Sequence, residues 1–314
     1  PPADDYNVAE SGGGVRADGR PPGLEASAGK ERAMGVTLPS VWLNELTWEE
    51  VAAYLATDDI VLWPIGSTEQ HGPGGPLGVD TYVAIMLAED AARRANVLCV
   101  PPLWYGDSSH HLGFPGTLSL RTETLMLVVR DVAHSLAKHG FRKILIINGH
   151  KGANLPGLLA ATKNLREFEL PEVFFAVIDP MKLARGIAPQ LKETPEHHCG
   201  ELEISHVWYR YPELIRADRL TDDLVPFEEI FGEFSHNDLL AGGGDTIDIP
   251  WTSAEQRRFA PTGAFTPSRK ASPEKGRRFH EYQVENIVRF IQWLRTYQGP
   301  LARRPAVPAP APAG

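Results

Sequence analysis

Two short apolar runs limit this chain more than any other feature: IVLWPIG at 60–66 and the ILII stretch within FRKILIIN at 141–148. Runs of this length without period-two alternation read as strands covered on both faces, the pattern of parallel sheets. Amphipathic segments separate them. Thr47 with Glu50 three residues on forms a capping box, opening a helix that places Val51, Tyr54 and Leu55 on one face. Residues 81–95 read as a helix that Asp80 caps, 97–105 as the next strand, and 123–138 as a helix stopped at Gly140. After the loop GHKGAN a helix runs to about Glu169, and EVFFAVID at 172–179 is a further strand. Repeated strand, loop and helix units imply an α/β fold, a single layered domain whose mainly parallel sheet has helices on both faces. In such sheets ligands bind at loops beyond the carboxyl ends of the strands.

Residues 1–38 are rich in Gly, Pro, Asp and Ala and offer too little apolar surface to offset their ordering entropy, so a disordered tail is expected there. Residues 299–314 form a Pro/Ala run that favours extended solvated backbone, leaving 39–298 as the folded domain. The formal charge of -9 leaves no basic stripe for phosphate neutralisation, which argues against a nucleic-acid partner. No apolar run approaches the roughly 20 residues needed to span a bilayer, so no membrane partner is expected. With only two cysteines and neither a basic nor an apolar leader in the opening PPADD, the chain reads as soluble and cytoplasmic.

Chemistry concentrates in three stretches. Directly after the first apolar run, STEQHGPGGPLGVD at 67–80 places Glu69 and His71 two apart, so that in extended chain both side chains share one ion, while a Gly/Pro loop swings Asp80 back. Carboxylate plus imidazole suits zinc, manganese or iron. NGHKGAN at 148–154 follows the second run, and its glycines let the backbone turn so that His150 projects from the same rim. HHCGELEIS at 197–205 offers His198, Glu201 and Glu203 as a further ligand and a proton carrier, or His198–Cys199 as a nucleophile pair. The glycines after residue 66 lack Gly-x-Gly-x-x-Gly spacing and Pro73 and Pro76 obstruct a helix start, which disfavours dinucleotide binding.

These motifs, with YGDSSHHLGFPGT at 105–117 and ASPEKGR at 271–277, resemble the creatininase (creatinine amidohydrolase) family from about Trp42 to about Arg277. The resemblance implies a layered α/β fold, a centre of two divalent ions with zinc first and manganese or iron as alternatives, and a homo-oligomer, commonly a hexamer. It makes Glu69, His71 and His150 ligands and Asp80 the bridging carboxylate. Glu203 takes a ligand or catalytic role with Glu201 as its competitor, and His198 becomes the proton shuttle; His111 and Lys151 line the rim and orient the small-molecule substrate. The expected reaction opens a cyclic amide or formamide-type C–N bond through a metal-bound hydroxide. A lactone or cyclic ketone substrate, and a non-catalytic small-molecule-binding relative, are the alternatives. The chain also departs from creatininase: Gly152 stands where a ligand Glu is found, Lys151 where glycine is usual, Gly74 where His is common and His110 where Glu is common. No tryptophan lies between Pro171 and His198, which points to a substrate other than creatinine.

Overall fold

The computed structural model describes residues 38–240, 247–299 and 301. The expected tails at 1–38 and 299–314 fall almost entirely outside these residues. Four parallel strands, β1 (Ile60–Ile65), β2 (Leu98–Cys99), β3 (Lys143–Asn148) and β4 (Phe174–Ile178), form one sheet in the order β2-β1-β3-β4. The register runs Ile60↔Lys143 through Ile65↔Asn148, then Lys143↔Phe174 through Ile147↔Ile178.

Alternation of side chains along each strand splits the core in two. Ile60, Leu62, Leu145 and Ile147 point to the face covered by α2 (Val79–Ala95), α6 (Glu201–Arg210) and α9 (Pro273–Thr296). Val61, Trp63, Ile65, Ile144 and Ile146 point to the face covered by α1 (Trp48–Leu55), α3 (Thr122–His139) and α4 (Lys151–Asn164). The short helices α5 (Pro180–Leu183), α7 (Phe227–Phe231) and α8 (Ser253–Phe259) lie in the connections after β4. The α/β fold, mainly parallel with helices on both faces, is therefore the one expected. No described helix is long and apolar enough to cross a membrane.

The capping box of α1 forms, with Glu50 N–H donating to Thr47 Oγ1 (3.4 Å) and Thr47 N–H to Glu50 Oε2 (2.7 Å). α3 ends at Gly140, whose φ of 112° closes the last turn in the left-handed region open to glycine. Two expectations need correction. The strand expected over 97–105 is regular only at Leu98–Cys99, because Pro101 and Pro102 lack the N–H a ladder needs; the chain rejoins the sheet edge only where Leu103 N–H donates to Pro64 O (3.0 Å). Asp80 does not cap α2. The helix starts two residues earlier, at Val79 after Gly78, and Asp80 sits inside its first turn, where the positive end of the helix dipole favours a carboxylate.

β3 and α2 approach so closely that a methyl group on Gly149 would lie 1.9 Å from the carbonyl oxygen of Asp80. This contact sets the end of β3 against the helix turn that carries Asp80. Gly149→Ala is expected to cost about 3 kcal/mol, since two backbones rather than a flexible side chain must separate. An unchanged denaturant midpoint would contradict the close approach.

Candidate metal centre

Every expected site residue gathers at the carboxyl ends of the strands. Glu69 and His71 come from the loop after β1, Asp80 from α2, His111 from the loop after β2, His150 and Lys151 from the junction of β3 and α4, His198 from the loop before α6 and Glu203 from its first turn. His150 Nδ1 lies 3.3 Å from Asp80 Oδ2, and its Nε2 lies 3.2 Å from Glu69 Oε2. His71 Nε2 lies 3.5 Å from both Asp80 Oδ1 and Glu203 Oε2. The two oxygens of Asp80 thus face two donor groups, Glu69 with His150 on one side and His71 with Glu203 on the other.

Ligand atoms of Glu69, Asp80 and His150 fall within 4.8 Å of one another, as do those of His71, His198 and Glu203, and of Glu69, His111 and His198. Glu69 and His71 do not share a group, contrary to the two-apart argument. That argument needs extended chain, whereas here the chain leaves β1 at Ile65 and turns, Gly75 N–H donating back to His71 O (3.1 Å) and Gly72 adopting φ 60°.

The outer nitrogens of two imidazoles are held by backbone carbonyls. His150 Nε2–H donates to Asp107 O (2.8 Å) and His71 Nδ1–H to Glu69 O (3.2 Å), while His198 Nε2 lies 2.8 Å from both the backbone oxygen and the side-chain amide nitrogen of Gln70. With its proton displaced by a cation, the inner nitrogen of His71 and of His150 would turn a lone pair toward the carboxylates, the arrangement that orients metal-ligating histidines. His111 differs. Its Nδ1 accepts from Gln256 Nε2 (2.6 Å), so its Nε2–H faces Glu69 Oε1 at 3.3 Å.

Both oxygens of Glu69 and Nε2 of His71 are buried and make no hydrogen bond. Orphaned polar atoms of this kind are costly unless a cation satisfies them. The charges point the same way. Burial raises the Glu69 carboxyl to about 7. Burial opposes the charged form of His71 and His150, but Asp80 with Glu203 and Glu69 lifts His71 to about 9, and Glu69 with Asp80 lifts His150 to about 10. Asp80 is held well below the usual carboxylate range by those imidazoles, against its burial. Burial and the neighbouring His71 push His198 well down, so it is neutral. Oxygen and imidazole donors in two groups sharing one carboxylate fit a pair of divalent ions.

The Glu201 alternative is removed by helix geometry. Two positions apart on α6 means opposite faces. Glu201 Oε2 accepts from the N–H groups of Glu193 (2.9 Å) and Thr194 (3.1 Å), Oε1 takes Lys275, and Glu203 alone faces His71. His111 and Lys151 do not line an open rim as expected. His111 is 1% exposed beneath Phe114 and the Gln256 amide, and Lys151 Nζ is paired with Glu203 Oε1 at 2.5 Å. Gly74 is packed against Leu220, where a Cβ would come within 2.6 Å of the side-chain tip.

The nucleophile-pair reading also fails. Cys199 is 1% exposed, its thiol is pushed well above the usual range by burial, and Sγ–H donates to His71 O (3.0 Å). Reactive cysteines need thiolate character and access. Neither Cys99 nor Cys199 is expected to react with a chromogenic disulfide in the native protein, both becoming reactive on unfolding; fast native labelling of Cys199 would contradict its placement.

Several supporting residues escaped the sequence reading. Ser67 Oγ–H donates to Asp80 Oδ2 (2.5 Å), and buried Glu196 accepts from the N–H groups of Leu202 (2.8 Å) and Glu203 (3.0 Å), fixing the first turn of α6. Ser67 and Gln70 lay within a motif already singled out. Glu196 and Gln256 carry no local signal.

A family model described as Creatininase: Creatinine amidohydrolase matches residues 44–291. The chain is 30% identical to 3-dehydro-scyllo-inosose hydrolase of Thermotoga maritima, a match covering 58% of this chain and 60% of that protein. It is 32% identical to creatinine amidohydrolase of Pseudomonas putida over 81% of this chain and 96% of that protein. It is 35% identical to mycofactocin precursor peptide peptidase of Mycolicibacterium smegmatis over 53% and 62% of the two chains. Among solved structures, a mutant creatininase of Zn–Zn type superimposes with a TM-score of 0.67 at 28% identity, covering 83% of this chain and 100% of that one. A manganese creatininase gives 0.66 at 27%, covering 82% and 100%. The three named relatives are all hydrolases, and this chain belongs to the creatininase (creatinine amidohydrolase) family.

Proposed function

We propose that the chain is a metal-dependent hydrolase that opens the C–N bond of a small cyclic amide or formamide, with Glu69, Asp80 and His150 holding one divalent ion and His71, Asp80 and Glu203 the other. The carrying observation is the set of buried orphan atoms, both Glu69 oxygens and His71 Nε2, on either side of Asp80. Zinc is the first choice for these nitrogen and oxygen donors, with manganese or iron as alternatives. Divalent ions held by these residues would lower the pKa of bound water toward 7 and polarise a substrate carbonyl.

The chain's own residues then handle protons and position. His198, whose Nδ1 lies 3.6 Å from Glu69 Oε1, takes the proton from the attacking water and passes it to the leaving nitrogen as the C–N bond breaks. Gln70 holds that imidazole, its backbone oxygen and side-chain amide both lying 2.8 Å from Nε2. The aromatic wall of Trp251, Phe227 and Phe265 lies beside His110, His197 and His198 and limits water access. Trp251 thereby shapes the pocket from the segment after α7. The reading includes a homo-oligomer, to which the exposed Leu77, Leu112 and Leu118 near the site supply apolar surface.

A second reading, opening of a cyclic ketone or lactone, is favoured by the similarity to the inosose hydrolase. Leaving-group chemistry separates the two. The zinc- or manganese-loaded protein is to be screened against lactams, formamides, short peptides, lactones and cyclic diketones. Amine or ammonia release supports the C–N reading. Turnover confined to lactones or diketones overturns it in favour of the second, and no turnover by a protein carrying both ions overturns both.

A further inference from the structure

Lys151 opens α4 directly after His150, yet its ammonium turns inward onto the cluster and not outward to solvent. Its Nζ lies 2.5 Å from Glu203 Oε1, and the side chain is only 13% exposed. Glu196 and Asp80 act on the same ammonium. The other Glu203 oxygen, Oε2, accepts from Cys199 N–H (2.7 Å) and faces His71 Nε2 at 3.5 Å. A fixed positive charge is therefore built into one donor group alone. Among the described residues, Glu69 pairs only with imidazoles, and no lysine or arginine touches it.

We propose that Lys151 makes the two cation positions unequal, so that the group of His71, Asp80 and Glu203 holds its divalent ion more weakly than the group of Glu69, Asp80 and His150. This rests on the two-ion reading above and refines it. Two physical effects act in the same direction. The ammonium repels a second cation across a few ångströms of poorly solvated protein, where Coulomb interactions are several times stronger than in water. By bonding Glu203 Oε1 it also draws electron density from the carboxylate that must act as ligand, and a charge-assisted bond of this kind is stronger than a neutral one. Lys151 is thus committed to Glu203 and not to substrate. Catalytic competence then follows the occupancy of the weaker position.

Metal-free protein is to be titrated with Zn²⁺ in competition with a chromophoric chelator of known affinity. The wild-type chain is expected to take two ions, the second at least about tenfold more weakly than the first. Lys151→Met should bring the two affinities within about threefold by strengthening the second, while Lys151→Arg keeps the inequality. Glu203→Gln should abolish the weaker binding event and leave the tighter one, which assigns the weak position without requiring that the methionine variant fold. Equal affinities in the wild type, or a ratio that Lys151→Met leaves unchanged or widens, would overturn the role of Lys151. A wild-type chain that takes up no zinc would instead overturn the two-ion reading itself.

Discussion

Replacing Asp80 by alanine is expected to empty both cation positions at once and to lower kcat/KM on the proposed substrates by on the order of 10⁴-fold. The Asp80 carboxylate faces both donor groups, with Oδ1 toward His71 and Oδ2 toward His150. Glu69→Ala and Glu203→Gln should each remove a single ion. Alanine is well tolerated in a first helical turn, so α2 persists and the loss reads out as metal content by elemental analysis rather than as unfolding. An Asp80→Ala protein that still carries two ions would show that the carboxylate is not shared.

Chelation should lower the melting temperature by about 10 °C, and the drop should grow with pH. At a free metal concentration of roughly 1,000 times its dissociation constant, one ion stabilises by about 4 kcal/mol, and 1 kcal/mol moves the transition by about 2–4 °C for a domain of this size. In the metal-free fold, His71 and His150 are raised to about 9 and 10, so their contribution is complete below the unfolded value and disappears as pH rises through those values. Glu69, raised to about 7, contributes with the same sign, its share fading between the unfolded value and 7. The metal-free protein therefore weakens from pH 6 to pH 10. Metal binding strengthens over the same range because protons no longer compete for the imidazoles. The difference in melting temperature between loaded and chelated protein should be smallest near pH 6 and largest near pH 9. A constant difference would exclude imidazole ligation.

Much of this architecture was legible from residue type and order. The runs at 60–66 and 141–148 specify strands because only a position covered on both faces accepts Val, Ile, Leu and Trp without alternation, and both runs are strands of the parallel sheet. The strand at 97–105 was overread. Two prolines remove N–H donors in a way that apolar content does not reveal. At the centre, the motifs named Glu69, His71, Asp80 and His150 because glycine-rich turns at strand ends present short polar side chains to a common rim; Glu69, Asp80 and His150 form one group, and His71 faces Asp80 from another.

The sequence by itself determined the parallel sheet, the end of it that carries chemistry, and the residue types gathered there. All three follow from local periodicity and turn propensity, which act over a few residues. Only the tertiary structure decided that Glu69 and His71 part into different groups, that Glu203 and not Glu201 faces inward, and that Lys151 is bound to Glu203. Those outcomes depend on the rotation of α6 against α9 and on the approach of Gly149 to Asp80. Contacts between segments distant along the chain leave no periodic trace in it.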